Sequence, residues 1–328
     1  MKKITLIAAA VAALGVSAQA NAFTSGSIVF DRDGAGASTA INVTTFDWIP
    51  GNALAKDAIG GTPDAQGNVT FTTYFQASLG LFLRPDGPAR GVLDDTEFTV
   101  QATIVEKGSN LGGAAASFES ISGTYKIFYD TTVDANDIAG TGYGDGQLIL
   151  EGTINAGGTG VFNNSTIAAF LANPAAFPFG PVATSNLDSK ETNEKAGIYS
   201  HNGNGSSTVT VDVTFANSAF FKSDVTTLLV DLNETTNLAA PFVQANPSSQ
   251  VVGQTPVYGS GAYIDANGVV QFGSVNGAPC RDGTTTCDFH FQSDSATSFA
   301  ARVPEPGSLA IAGAGLALMS LIRRRKSK

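Results

Sequence analysis

Over Val69-Phe71-Thr73-Phe75-Ala77-Leu79, residues suited to a buried face recur at every second position, with Thr70, Thr72, Tyr74 and Gln76 between them. Successive side chains of an extended chain point to opposite faces, so a period of two makes a strand with one buried face. A helix repeats near 3.6 residues and does not give this spacing. The same alternation returns in Phe98-Val100-Ala102-Ile104, in Tyr125-Ile127-Tyr129, in Leu148-Leu150 leading to Ile154, and in Val209-Val211-Val213-Phe215. Between these runs stand turn-forming clusters: Asp86-Gly87-Pro88, Glu106-Lys107-Gly108-Ser109-Asn110 and His201-Asn202-Gly203-Asn204-Gly205. Helical periodicity is confined to two short stretches, Thr166 to Asn173 and Ser223 to Asp231. Half-buried strands joined by polar, Gly-rich turns must cover their apolar faces with one another. The expected fold is therefore all-β, an antiparallel β-sandwich of jelly-roll type.

The two ends do not belong to that fold. Lys2-Lys3, the apolar stretch from Ile4 to Val16 and the small residues Ala18, Ala20 and Ala22 form the three parts of a secretory signal peptide, residues 1–22. At the other end Val303, Pro304, Glu305, Pro306 and Gly307 precede an apolar run from Leu309 to Ile322 and the basic cluster Arg323, Arg324, Arg325, Lys326 and Lys328. Proline lacks the amide donor and clashes with the preceding turn, so Pro-Glu-Pro makes an extended joint accessible to a protease. The apolar run is shorter than the roughly 20 residues of a comfortable membrane span and reads as a short transmembrane-like helix, inserted transiently with its basic end on the cytoplasmic side. Residues 23–302 are left as one secreted domain, with an excursion or boundary near 173–196, where Asn173-Pro174 to Pro181 gives way to a polar stretch.

The triplet, the apolar segment and the terminal arginines resemble the PEP-CTERM sorting signal of exopolysaccharide-producing Gram-negative bacteria. That resemblance implies export by the general secretion machinery and processing at Pro304-Glu305-Pro306 by a membrane exosortase. It also implies a final location at the cell surface or outside the cell. A second, shorter resemblance lies in Thr45-Phe46-Asp47-Trp48-Ile49-Pro50-Gly51-Asn52-Ala53-Leu54-Ala55, which is similar to the flocculation-associated branch of these proteins. It implies a matrix or surface protein, without known catalysis, that works with exopolysaccharide in cell aggregation.

Composition limits the partners further. Loss of both ends strips seven of the 18 Lys and Arg but at most one of the 28 Asp and Glu, leaving a net charge of about −17. With no basic cluster in the body, nucleic acid is excluded as a partner. The two cysteines, Cys280 and Cys287, are expected to form a local disulfide in an oxidising compartment. Catalytic signatures are missing: His201 and His290 stand alone, no G-x-S-x-G elbow is present, and Gly140 to Gly146 lacks the Lys-Ser/Thr of a phosphate loop. No catalytic residue is expected, and no cofactor beyond a calcium ion. The calcium candidates are Asp130, Asp134, Asn136, Asp137 and Asp145, since a hard cation takes six to eight oxygens. Asp31-Arg32-Asp33-Gly34 is a weaker candidate of the same kind. Trp48, the single tryptophan, is the candidate for stacking on a sugar. The expected function is a matrix protein bound to extracellular polysaccharide. A carbohydrate-binding module with a defined glycan is the first alternative and a glycan hydrolase the second.

Overall fold

The structure is a computed structural model that describes residues 23–59, 61–111, 113–135, 142–173, 203–235 and 287–302, with four two-residue strands between 251 and 271. Its strands are β1 (Phe23–Ser25), β2 (Ile28–Asp31), β3 (Ala40–Val43), β4 (Thr45–Ile59), β5 (Asn68–Leu83), β6 (Glu97–Ser109), β7 (Ala115–Asp130), β8 (Gln147–Ile154), β9 (Thr159–Asn164), β10 (Gly203–Ala216) and β11 (Thr227–Thr235). The short β12 (Val251–Val252), β13 (Thr255–Pro256), β14 (Tyr263–Ile264) and β15 (Val270–Gln271) follow, and β16 (Cys287–Arg302) is last. The helix α1 (Ser165–Ala172) matches the first of the two helical stretches, and a 3-10 turn covers Ala37–Thr39. The second stretch, Ser223 to Asp231, instead supplies the start of β11.

The chain divides into two compact units. One joins the chain ends, 1–25 with 300–328, and is described only where Phe23, Thr24 and Ser25 pair antiparallel with Arg302, Ala301 and Ala300. The other, residues 26–299, holds the main sheet. Its strands pair in the order β16-β11-β10-β8-β7-β6-β5-β4, and β4 pairs again with β16 from Cys287↔Ile59 to Ser298↔Thr45. This last pairing closes an eight-strand β-barrel. The expectation of a two-sheet, jelly-roll-like sandwich is therefore corrected: the apolar faces are covered by curling one sheet on itself, which also removes the unpaired edges a sandwich leaves. The C-terminal transmembrane-like helix was expected over the apolar run from Leu309 to Ile322. Its residues lie outside the described ones, and among the described residues no helix is long and apolar enough to cross a membrane.

One wall is split. β9 pairs β7 and β10 where β8 stops, so β8 and β9 share one position in the ring. Ser120 clamps the break: its backbone carbonyl accepts from Gly157 N, and its hydroxyl donates to the Asn155 carbonyl at 2.8 Å and accepts from Gly158 N at 2.9 Å. Gly157 sits at φ 90°, a backbone state that glycine adopts freely.

Two expected turns are also strand. Glu106 to Ser109 continue β6, and the chain reverses at Asn110, whose φ of 55° suits asparagine. In the cluster His201 to Gly205, the described residues Gly203, Asn204 and Gly205 open β10, while Pro50-Gly51-Asn52 forms an irregularity within β4, between Trp48↔Leu79 and Asn52↔Gln76. The boundary expected near 173–196 lies, beyond Asn173, outside the described residues.

An aromatic cluster seals one end of the barrel. Phe30 is fully buried, with ring centroids 4.9 Å from Phe46, 5.4 Å from Phe82, 5.6 Å from Phe98 and 5.0 Å from Phe221. The β2–β3 hairpin carries Phe30 and is pinned from the far side, where Asp31 N donates to the Phe220 carbonyl and Lys222 N to that of Val29.

Candidate functional site

The expected cation loop is brought together in part. Asp130, at the end of β7, lies with Asp134 and Asp145 so that one carboxylate oxygen of each falls within 4.8 Å of the others. Asn136 and Asp137 lie outside the described residues. A fourth acid, unforeseen from sequence, organises the loop. Glu97 at the start of β6 pairs with Asp130 across the strands, and its buried carboxylate accepts from Asp134 N at 3.0 Å and Ala135 N at 3.2 Å. Burial raises the Glu97 pKa, opposed by those two amides and aided by the charges of Asp134 and Asp130. Asp134 is raised as well, first by desolvation and then by repulsion from Asp145 and Asp130. Three carboxylates at this spacing supply some of the oxygens a hard divalent cation takes.

The weaker cation candidate is already satisfied from within. Asp31 is fully buried, and its carboxylate accepts from Thr39 Oγ1 at 2.5 Å and Gly36 N at 3.1 Å, with Lys222 Nζ 3.5 Å away. Asp33 accepts from Ala35 N and Thr39 Oγ1, bonds that lower its pKa. These acids fasten the loop of the β2–β3 hairpin.

Trp48 is not a surface ring. It is 1 % exposed inside the barrel, edge-on to Phe46 at 6.0 Å, and its Nε1 donates to Thr297 Oγ1 at 2.8 Å. A sugar outside the barrel does not reach its face. Tyr125 Oη also hydrogen-bonds Thr297 Oγ1, at 2.5 Å, and burial pushes its pKa far above the ordinary tyrosine value. Nearby in sequence to Trp48, the stretch Thr45–Ala55 that suggested the flocculation branch forms most of the closing strand, pairing with β5 on one side and β16 on the other.

A second buried acid was also missed. Glu106 lies opposite Phe71 on the inner face, half-buried as a residue but with its carboxyl sunk in the barrel, where it accepts from Thr73 Oγ1. Burial raises its pKa to about 7, and the Thr73 bond offsets only part of that. Sequence placed it in a turn cluster, and the signal that could have found it is the continued alternation after Ile104.

Of the remaining candidates, Cys280 lies outside the described residues and Cys287 begins β16, so the expected disulfide is not among the described contacts. His201 lies outside as well, while His290 is described as backbone opposite Leu54. Val303, Pro304, Glu305, Pro306, Arg323, Arg324 and Arg325 also fall outside the described residues.

A closed barrel with buried aromatic rings and an acidic loop defines an architecture, not an activity; the address is what assigns the chain to a class of exported proteins. Residues 302–326 match the PEP-CTERM protein-sorting motif. The chain is thus an exosortase-targeted protein, exported and placed at the cell surface or outside the cell after processing. No curated protein and no solved structure matches it.

Proposed function

We propose that the processed protein is a non-catalytic component of the extracellular matrix, associating with exopolysaccharide and promoting cell aggregation. The sorting motif supports this reading, because it sends an acidic, closed β-barrel to the cell surface or beyond, the side of the envelope on which a matrix is built. The Thr45–Ala55 phrase supports the flocculation role, and the interior position of Trp48 takes away the described residue on which a discrete glycan-binding module would have rested. The fold itself is compatible with a scaffold: the eight ring strands pair on both sides, so the ring itself offers no edge for uncontrolled strand addition.

The test compares a deletion strain with its parent and takes the intact mass of the protein from the parent's cell surface. Expected are a mass ending near Pro304 to Pro306, and deleted cells that secrete polymer yet stay dispersed. Unchanged floc formation in the deletion strain would overturn the aggregation role. Release of reducing sugar from the polymer by the purified protein would favour a hydrolase instead.

A further inference from the structure

The described part of the unit formed by the chain ends is one short antiparallel pair: Phe23↔Arg302, Thr24↔Ala301 and Ser25↔Ala300. Hydrogen-bonded and non-hydrogen-bonded pairs alternate along such a ladder. One residue further along the chain, Gly26 N donates to the Phe299 carbonyl at 2.8 Å. Gly26 and Phe299 are therefore a hydrogen-bonded pair, and the next one, two residues on, is Thr24 with Ala301. The backbone of Thr24 thus carries the bonds that tie β1 to the end of β16.

In an antiparallel pair the start of one strand lies beside the end of the other. The chain that enters at Phe23 and the chain that leaves at Arg302 share one end of the ladder. Phe23 is the first residue after the expected signal peptide, and Arg302 is the first residue of the matched sorting motif. With residues 1–22 removed, β1 has nothing left to place opposite Val303, so its pairing stops where the processing joint begins. Lys2 and Lys3 at one extreme, and Arg323, Arg324 and Arg325 at the other, direct both apolar segments to the same membrane, the one that holds the exosortase. A chain end is poorly ordered unless a strand ties it down, and ordering it at the moment of recognition weakens binding. Pairing with β1 provides that order in advance for the three residues that lead into Val303.

We infer that β1 is a positioning strand for the processing reaction: by pairing with Ala300, Ala301 and Arg302 it holds the start of the sorting motif extended and presents Pro304-Glu305-Pro306 to the exosortase. The effect runs through the backbone, with Thr24 as the residue that carries it. It is independent of the proposed matrix role, because it concerns the maturation of the precursor and not what the mature protein contacts.

The test uses the full chain in the producing cells and follows the intact masses of tail-bearing and processed protein after a pulse of synthesis. Thr24→Pro removes the Thr24 N–H, whereas Thr24→Ala keeps it. Thr24→Pro should slow loss of the tail about tenfold, the effect of one or two ordinary hydrogen bonds, and Thr24→Ala should be processed as the parent is. The thermal midpoint of the barrel, read by Trp48 emission, should be alike in both variants, which separates positioning from a general folding defect. Ser25→Cys with Ala300→Cys joins a non-hydrogen-bonded pair, whose close Cα spacing suits a disulfide, and locks β1 in place. The locked variant should still lose its tail. Processing of Thr24→Pro at the parental rate, or a locked variant that keeps its tail, would show that the exosortase takes the motif free of β1, and would overturn the inference.

Discussion

Tyr125 and Thr297 hydrogen-bond across the barrel from strands that stand opposite one another: β7 and β16 are four steps apart in either direction around the ring. Thr297 is also the acceptor for Trp48, so one hydroxyl ties three strands together. Tyr125→Phe should cost about 1 kcal/mol, one net hydrogen bond. Thr297→Val should cost more, about 2–4 kcal/mol, since it strands the Trp48 N–H and the Tyr125 hydroxyl without a partner. Denaturant unfolding followed by Trp48 emission checks both the sizes and their order.

Glu106 makes stability depend on pH. Its folded pKa of about 7 lies above the unfolded value of about 4.3, so the folded state holds the proton more tightly. The resulting stabilisation is fully present below about pH 4, is lost as pH rises through about 7, and then levels off, a total of roughly 4 kcal/mol. Glu106→Gln, which keeps an acceptor for Thr73, should remove this component. The difference between wild type and variant, measured by thermal unfolding from pH 4 to 9, should follow that curve.

Gly51 is required by packing. A Cβ there would meet the Gln76 carbonyl oxygen at 2.1 Å and the Ala77 Cβ at 2.5 Å. Gly51→Ala should cost about 3 kcal/mol, the upper end for overpacking, because one of the obstructing atoms is backbone. A lowered denaturant midpoint with an unchanged slope is expected.

In the acidic loop, Asp134→Asn should stabilise the protein near neutral pH. The raised pKa of Asp134 shows that its ionised form is disfavoured by desolvation and by Asp145 and Asp130. The gain should vanish at low pH, where the carboxyl is already protonated, and shrink in high salt, which screens exposed charges. Thermal midpoints at pH 3 and pH 7, with and without added salt, decide it.

For the sorting motif, replacing Pro304, Glu305 and Pro306 by alanine should leave Arg323, Arg324 and Arg325 attached. Intact mass of the cell-associated protein reports the outcome directly. Processing unaffected by the triple replacement would show that cleavage is directed by other residues.

Strand identity was legible in the alternation, and the Val69 to Leu79 run lies within β5 as read. Architecture was not, because a period of two says that one face is buried without saying whether a second sheet or the far wall of the same sheet covers it. What decides between them is the pairing of β4 with β16, a contact between distant segments that no local pattern encodes. Charge and spacing drew attention to Asp130, Asp134 and Asp145, which do converge. Glu97 was missed because acids at the head of a strand look like solvated turn residues. Trp48 could be read as a core ring or as a sugar-stacking one, because inward and outward faces differ only by the register of the closing pair, which buries it.

That closing pair has a bearing on timing. Thr45 Oγ1 and Ser298 Oγ lie 3.2 Å apart though 253 residues separate them, and the matched sorting motif starts at Arg302. The ring has nothing to shut against until its final strand exists, so long-range closure comes late and slowly. The stretch that completes the barrel is immediately followed by the one that directs processing. A prematurely terminated product therefore lacks both its final wall and its delivery label, so a chain that carries the label also carries the strand that shuts the ring.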